Sequence, residues 1–165
     1  MKQRKPSVYL CGRMSGDPQD SKWRADLTPF LETLGFEVLD PCEFEPRQLR
    51  GLKLGRLPEG FTHWTQLQHA KEPRLVDRFL RYFRYVIRFD IKMIRTQVDY
   101  MVVRWSENCK TGAGSHAEIT FAFDLGIPIY CVEEVTMPAW GRACCSEVFR
   151  TFDELRAFLT EEFGK

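Results

Sequence analysis

Apolar and polar positions along the chain fall into two kinds of run. Short apolar runs read as buried strands at Ser7–Cys11 (SVYLC), Phe36–Leu39 (FEVL), Val98–Arg104 (VDYMVVR) and Ile129–Val132 (IYCV), with Val148-Phe149 as a short edge strand. Between them, apolar residues recur at helical spacing. Trp23, Leu27, Phe30, Leu31 and Leu34 predict a helix from about Ser21, with Ser21 as its N-cap. Leu75, Phe79, Leu80, Phe83, Val86, Ile87, Ile91 and Ile94 predict one long helix over Pro73–Thr96. Ala117, Ile119, Phe121, Ala122 and Leu125 predict a helix from Ser115 that packs on a sheet and stops at Gly126. Leu155, Phe158, Leu159 and Phe163 form the inner face of a last helix over Asp153–Phe163, and Met137–Cys145 reads as irregular. Strand and helix alternate. That order implies an α/β fold: a doubly wound, mostly parallel sheet of about five strands, flavodoxin-like or Rossmann-like, with helices on both faces.

One segment breaks the pattern. From Cys42 to about Glu72 there is no clear period, and Gly51, Gly55, Pro58 and Gly60 interrupt it. A stretch this long is a functional lid or an inserted loop. Arg47, Arg50, Lys53 and Arg56, with Phe61, His63, Trp64 and His69, suit a cover that stacks a base and holds a phosphate. They equally suit a solvated insertion with its Trp packed on the surface.

Composition narrows the class. A chain of 165 residues, 44% hydrophobic and 13% aromatic, is expected to form one ordered domain over 1–165. The net charge of +1 gives no general pull toward nucleic acid or a membrane surface. The arginines at 74, 78, 81, 84, 88 and 95 therefore read as a solvated helix face. No apolar run reaches membrane-spanning length and MKQRKPSV lacks a signal-peptide core, so a cytoplasmic protein is expected. The six cysteines show no C-x-x-C pairing, which argues for reduced thiols and against zinc.

Candidate chemistry sits in two loops and on two carboxylates. The first strand runs into Gly12-Arg13-Met14-Ser15-Gly16-Asp17-Pro18, whose backbone donors, Ser15 hydroxyl and Arg13 guanidinium suit a phosphate or a sugar hydroxyl. A tight surface turn is the plainer reading. Thr111, Gly112 and Gly114 lead into the helix that carries His116 and Glu118, with Glu118 in or near its first turn. A lone Glu there can serve helix stability alone, or face the loop mouth where α/β folds bind ligands. Asp90 stands in an apolar and basic stretch, either paired with Arg88 or Arg95 or aimed at the ligand end of the sheet.

Together, VYLCGRMSG, FDIKMI ahead of VDYMVV, and GAGSHAEITFAFDLGIPIYCV resemble the nucleoside 2-deoxyribosyltransferase family and the related nucleotide N-glycosidases. The resemblance covers the first strand and the stretch from about Asp90 to Val132. It implies cleavage of the N-glycosidic bond of a nucleoside or nucleoside 5′-phosphate, followed by hydrolysis or by transfer to another base. It places the nucleophile at Glu118, an Asp handling protons on the base at Asp90, and an orienting Tyr at Tyr9. Gly12, Arg13, Ser15 and Gly16 correspond to the part around sugar and phosphate. The transferases often carry an acidic residue where Lys110 and Thr111 stand here, and the nucleotide-cleaving branch often has a Ser; this departure points toward a phosphorylated substrate. The role of His116 is not given by the pattern. No metal or redox cofactor is implied, the partner is a small molecule, and a homodimer or larger homo-oligomer is expected. The alternative is a non-catalytic nucleotide-binding module that kept the pocket.

Overall fold

The computed structural model describes residues 4–14, 18–43 and 57–164, with backbone alone for 18–20. Ser15, Gly16 and the basic residues Arg47, Arg50, Lys53 and Arg56 lie outside the described residues. The strands are β1 (Ser7–Cys11), β2 (Glu37–Leu39), β3 (Tyr100–Trp105), β4 (Ile129–Glu133) and β5 (Glu147–Phe149). The helices, numbered among the described residues, are α1 (Pro18–Thr33), α2 (Pro73–Gln97), α3 (Ala113–Asp124), α4 (Ala139–Cys144) and α5 (Phe152–Phe163). All strand pairs are parallel, in the order β2-β1-β3-β4-β5. This is the flavodoxin-like order, with its reversal between β1 and β3.

The period of two along β1 divides the core. Val8 and Leu10 join Trp23, Leu27, Leu31, Leu155 and Leu159 on the α1/α5 face. Tyr9 and Cys11 join Met93, Ile94, Ile119 and Ala122 on the α2/α3 face. Both faces are covered, so the central strands β1, β3 and β4 are mostly apolar.

Several boundaries differ from the sequence expectation, each for a local reason. α1 begins at Pro18, ahead of Ser21, because a proline fits the first helical position, where no N–H is needed. β3 runs Tyr100–Trp105; Asp99 instead accepts from Ser7 N at 2.8 Å and from Arg4 at 2.8 and 2.9 Å, tying β1 to β3 at their N-terminal ends. Part of the excursion is ordered: Trp64–His69 is a 3-10 helix that buries Leu67 and stacks Trp64 on Tyr82 of α2 at 5.0 Å. Met137–Cys145 is not irregular. It contains α4, too short to display a helical period.

The largest correction concerns α3. It starts at Ala113 with Gly112 as cap, so Gly114 lies inside it and Glu118 falls in the second turn. A glycine in a helix costs about 1 kcal/mol, less than the packing of Ile119 and Ala122 on the sheet returns. The inward residues are Ser115, Ile119 and Ala122. Ala117 and Leu125 are exposed, and Phe121 turns to α2, with Arg95 5.2 Å over its ring. Gly126 closes the helix at φ +71°, a left-handed conformation that favours glycine, with Ile127 N donating to Ala122 O at 3.0 Å. Among the described residues no helix is long and apolar enough to cross a membrane.

Candidate active site

The site is built on the α2/α3 face of β1. Side chains two apart on a strand share a face, so Tyr9 and Cys11 both point toward α3. Tyr9 is fully buried, and its hydroxyl donates to Glu118 Oε1 at 3.3 Å. The fully buried Cys11 thiol donates to Ser115 O at 4.0 Å, in the first turn of the same helix. Glu118 itself is half-buried. Asp90 reaches this point from α2 and is 6% exposed. The two carboxylates, far apart in sequence, both bear on Tyr9: burial pushes its phenol well up, and the charges of Glu118 and then Asp90 push it further.

Glu118 is the poised group. Burial raises its carboxyl above the ordinary glutamate value, while hydrogen bonds from Cys11 and Tyr9 and the charge of Arg24 act against that rise. A partly desolvated carboxylate with few donors is a better nucleophile than a solvated one, and its negative charge can oppose a positive centre beside it.

The rim is formed by the loops after β1 and β3, which flank the reversal of strand order. Arg13 Nη1 donates to Asn108 O at 3.0 Å and to Thr111 Oγ1 at 3.3 Å, joining the two loops. Gly12 leaves little room for a side chain: a Cβ would stand 3.2 Å from Trp23 Cζ2 and 3.3 Å from Arg104 O, so either neighbour would have to give by a few tenths of an ångström. Arg24, 1% exposed, holds this turn from α1 by donating to Gly12 O at 2.9 Å and Arg13 O at 3.2 Å. Its guanidinium also lies 3.4 Å from Asp40 at the end of β2. Burial raises the Asp40 carboxyl, and its hydrogen bonds with Cys42 and the Arg24 charge oppose that rise.

The remaining residues expected at the site divide. Thr111 and Gly112 lie at the rim beside Arg13. Lys110 pairs with Glu107 at 2.8 Å on the surface. Gly114 opens the first turn of α3 and is exposed. His116 stands edge-on to the buried Trp105, ring centroids 4.7 Å apart. It lines an open apolar groove of about 860 Å³ with Ile91, Ala117, Thr120, Phe121 and Trp140. Helical phase sets that groove on the side of α3 away from Glu118, so the groove and the Glu118 carboxylate are separate features. Among the described residues no three His, Cys, Asp or Glu side chains come together as a metal-binding group.

Sequence reasoning missed Cys11 and Arg24. Strand alternation from Tyr9 to Cys11 was a signal for the first. For the second, the signal was an arginine adjoining the apolar positions Trp23 and Leu27 of an inward helix face.

No protein-family model matches the chain, and no curated protein matches it in sequence. Solved structures do match in three dimensions. A 2-deoxyribosyltransferase from Bacillus psychrosaccharolyticus superposes with a TM-score of 0.61 at 15% identity, covering 93% of this chain and 95% of that one. A conserved protein from Enterococcus faecalis gives 0.60 at 12% identity, over 96% and 99%. A CMP N-glycosidase from Clostridium botulinum gives 0.50 at 17% identity, over 93% and 97%. The chain therefore has the 2-deoxyribosyltransferase-like fold, an all-parallel five-stranded α/β sheet that it shares with a deoxyribosyltransferase and with a nucleotide N-glycosidase.

Proposed function

We propose that this chain is an enzyme that breaks the N-glycosidic bond of a nucleoside or nucleoside 5′-phosphate, with Glu118 as nucleophile. The supporting observation is the Tyr9 hydroxyl donating to Glu118, with the Asp90 charge also acting on that phenol, beside the reversal of strand order where such sheets bind ligands. As the C1′–N bond lengthens, positive charge grows on the sugar and the electron pair passes to the base. Glu118 attacks C1′ and forms a glycosyl ester; a proton held at Asp90 goes to the departing nitrogen. Water, or a second base, then attacks C1′ and frees the carboxylate. Two acidic groups with divided roles are the logic of retaining glycosidases. Tyr9 fixes the attacking oxygen. Arg13, Thr111 and the opening turn of α3 hold the sugar hydroxyls or a 5′-phosphate at the rim.

The test is incubation with deoxynucleosides and deoxynucleoside 5′-monophosphates, following free base by chromatography. Base release that disappears in Glu118→Gln supports the proposal. Nucleotide binding seen by thermal stabilisation, with no base released from any substrate, contradicts it in favour of a binding module. Copies of the chain pair through the apolar stripe Leu80, Phe83 and Ile87 on α2, which is 41–49% exposed. Light scattering of Ile87→Glu checks this: a smaller particle than the parent is expected, and an unchanged one contradicts it.

A further inference from the structure

Arg24 is 1% exposed, and the proposed chemistry does not use it. A cation is costly to bury, and its neighbours Trp23 and Leu27 belong to the apolar face of α1. The guanidinium is spent on the first loop. It donates to Gly12 O at 2.9 Å and to Arg13 O at 3.2 Å, so one planar fork holds two successive carbonyls. The fork is itself held, by Asp40 at 3.4 Å and by the Trp23 ring, whose centre lies 4.7 Å away. The backbone fixed in this way carries the side chain that crosses the rim. Arg13 Nη1 donates to Asn108 O at 3.0 Å and to Thr111 Oγ1 at 3.3 Å. Arg13 is therefore anchored twice, at its carbonyl from α1 and at its guanidinium from the loop after β3.

We propose that Arg24 is a positioning residue that sets a preference for a 5′-phosphate over a free 5′-hydroxyl: by holding the Gly12 and Arg13 carbonyls it keeps the Arg13 guanidinium at the rim, where it receives the phosphate. The inference rests on the proposed cleavage at this rim. A long side chain binds weakly when its own backbone must be ordered as the ligand arrives, and anchoring that backbone beforehand removes the cost. An arginine suits the task because its donors form a rigid fork, whereas a lysine ammonium is a point charge on a flexible stem. The alternative role is a staple of the fold, which ties α1 to the end of β2 through Asp40.

The staple and the positioning role predict different behaviour. Two readings are taken with the common deoxynucleosides and their 5′-monophosphates: steady-state base release, and calorimetric binding in a Glu118→Gln background. Arg24→Lys keeps a cation beside Asp40 and removes the fork. KM and Kd for the monophosphates should rise about tenfold, while those for the nucleosides, and kcat for both, stay within about twofold. Asp40→Asn removes the carboxylate of the staple and leaves the fork, so it should lower Tm and keep the parent's preference. Arg24→Gln/Asp40→Asn removes both charges together, leaves no unpaired buried carboxylate, and should lose the preference in the binding measurement even if Arg24→Lys does not fold. Nucleoside and monophosphate weakened alike by loss of the fork, neither weakened, or the preference lost in Asp40→Asn alone would each overturn the proposal. So would a parent that binds the monophosphates no tighter than the nucleosides. A parent that releases base from no substrate is a different failure, that of the proposed reaction, and the binding measurement still decides the role of Arg24.

Discussion

Replacing Glu118 by glutamine is expected to make the protein more stable at neutral and alkaline pH while abolishing its chemistry. Burial raises the carboxyl above the ordinary value even though Cys11, Tyr9 and Arg24 oppose the rise. A raised value in the folded state means that the native protein holds the proton more tightly than the unfolded chain does. Below the unfolded value, about 4.3, both states are protonated and this source of stability is fully present. It is lost as pH climbs through the folded value, where the native carboxyl ionises without full solvation. Each unit of upward displacement corresponds to about 1.4 kcal/mol. For 165 residues an unfolding entropy of about 350 cal/mol/K follows, so each unit is about 4 °C in Tm. Glu118→Gln keeps the shape of the side chain and removes the ionisation. Calorimetry at pH 8 should show the variant melting above the parent by that amount per unit, and at pH 4 the gap should close. Glu161→Gln, at an exposed position of α5, serves as the control with no comparable gain. A variant that melts below its parent at pH 8, or a gap that does not change with pH, refutes the reasoning. Such a result would mean that the contacts around the carboxylate outweigh its desolvation. A residue that costs stability where it stands is kept for something other than the fold.

Other perturbations test the neighbouring parts. Tyr9→Phe keeps the packing but removes a 3.3 Å bond to a carboxylate, worth about 1.5 kcal/mol; kcat/KM for base release should fall about tenfold, and an unchanged rate contradicts the orienting role. Arg24→Met leaves Asp40 and the Gly12 and Arg13 carbonyls without their cation, and urea unfolding should show a loss of about 3 kcal/mol, partly recovered in Arg24→Met/Asp40→Asn. Gly12→Ala forces a Cβ against Trp23 and the Arg104 carbonyl and should cost about 1–3 kcal/mol. Gly114→Ala, with nothing within 4 Å of the new Cβ, should stabilise α3 by about 0.5–1 kcal/mol in the same unfolding assay.

The sheet was legible because its central strands are buried on both faces and read as short, mostly apolar runs, separated by helices with a clear period. The long helix over Pro73–Gln97 was legible to within a residue for the same reason. Glycines misled the reading of α3. Gly112 and Gly114 look alike in a sequence, yet one caps the helix and the other lies inside it, and packing against the sheet decides which. The six residues of α4 carry too little pattern to announce a helix. Among the candidate residues, Asp90 stood out as a carboxylate in an apolar and basic stretch, and Glu118 by its place at the start of a helix after the glycine loop. Cys11 and Arg24 were missed because their meaning comes from neighbours: one is a thiol in an apolar strand, the other a cation whose partners are loop carbonyls and an Asp at the end of another strand. The likeness to solved enzymes concerns the fold at 12–17% identity, so the chemistry rests on the arrangement around Tyr9.

The central claim is a bond between Glu118 and the sugar. Mass spectrometry of protein quenched with acid during turnover, followed by digestion, reads it directly. The account predicts one glycosyl unit added to the peptide that contains Glu118, and none in Glu118→Gln. A glycosyl unit on another residue, or undiminished base release by Glu118→Gln, would contradict it.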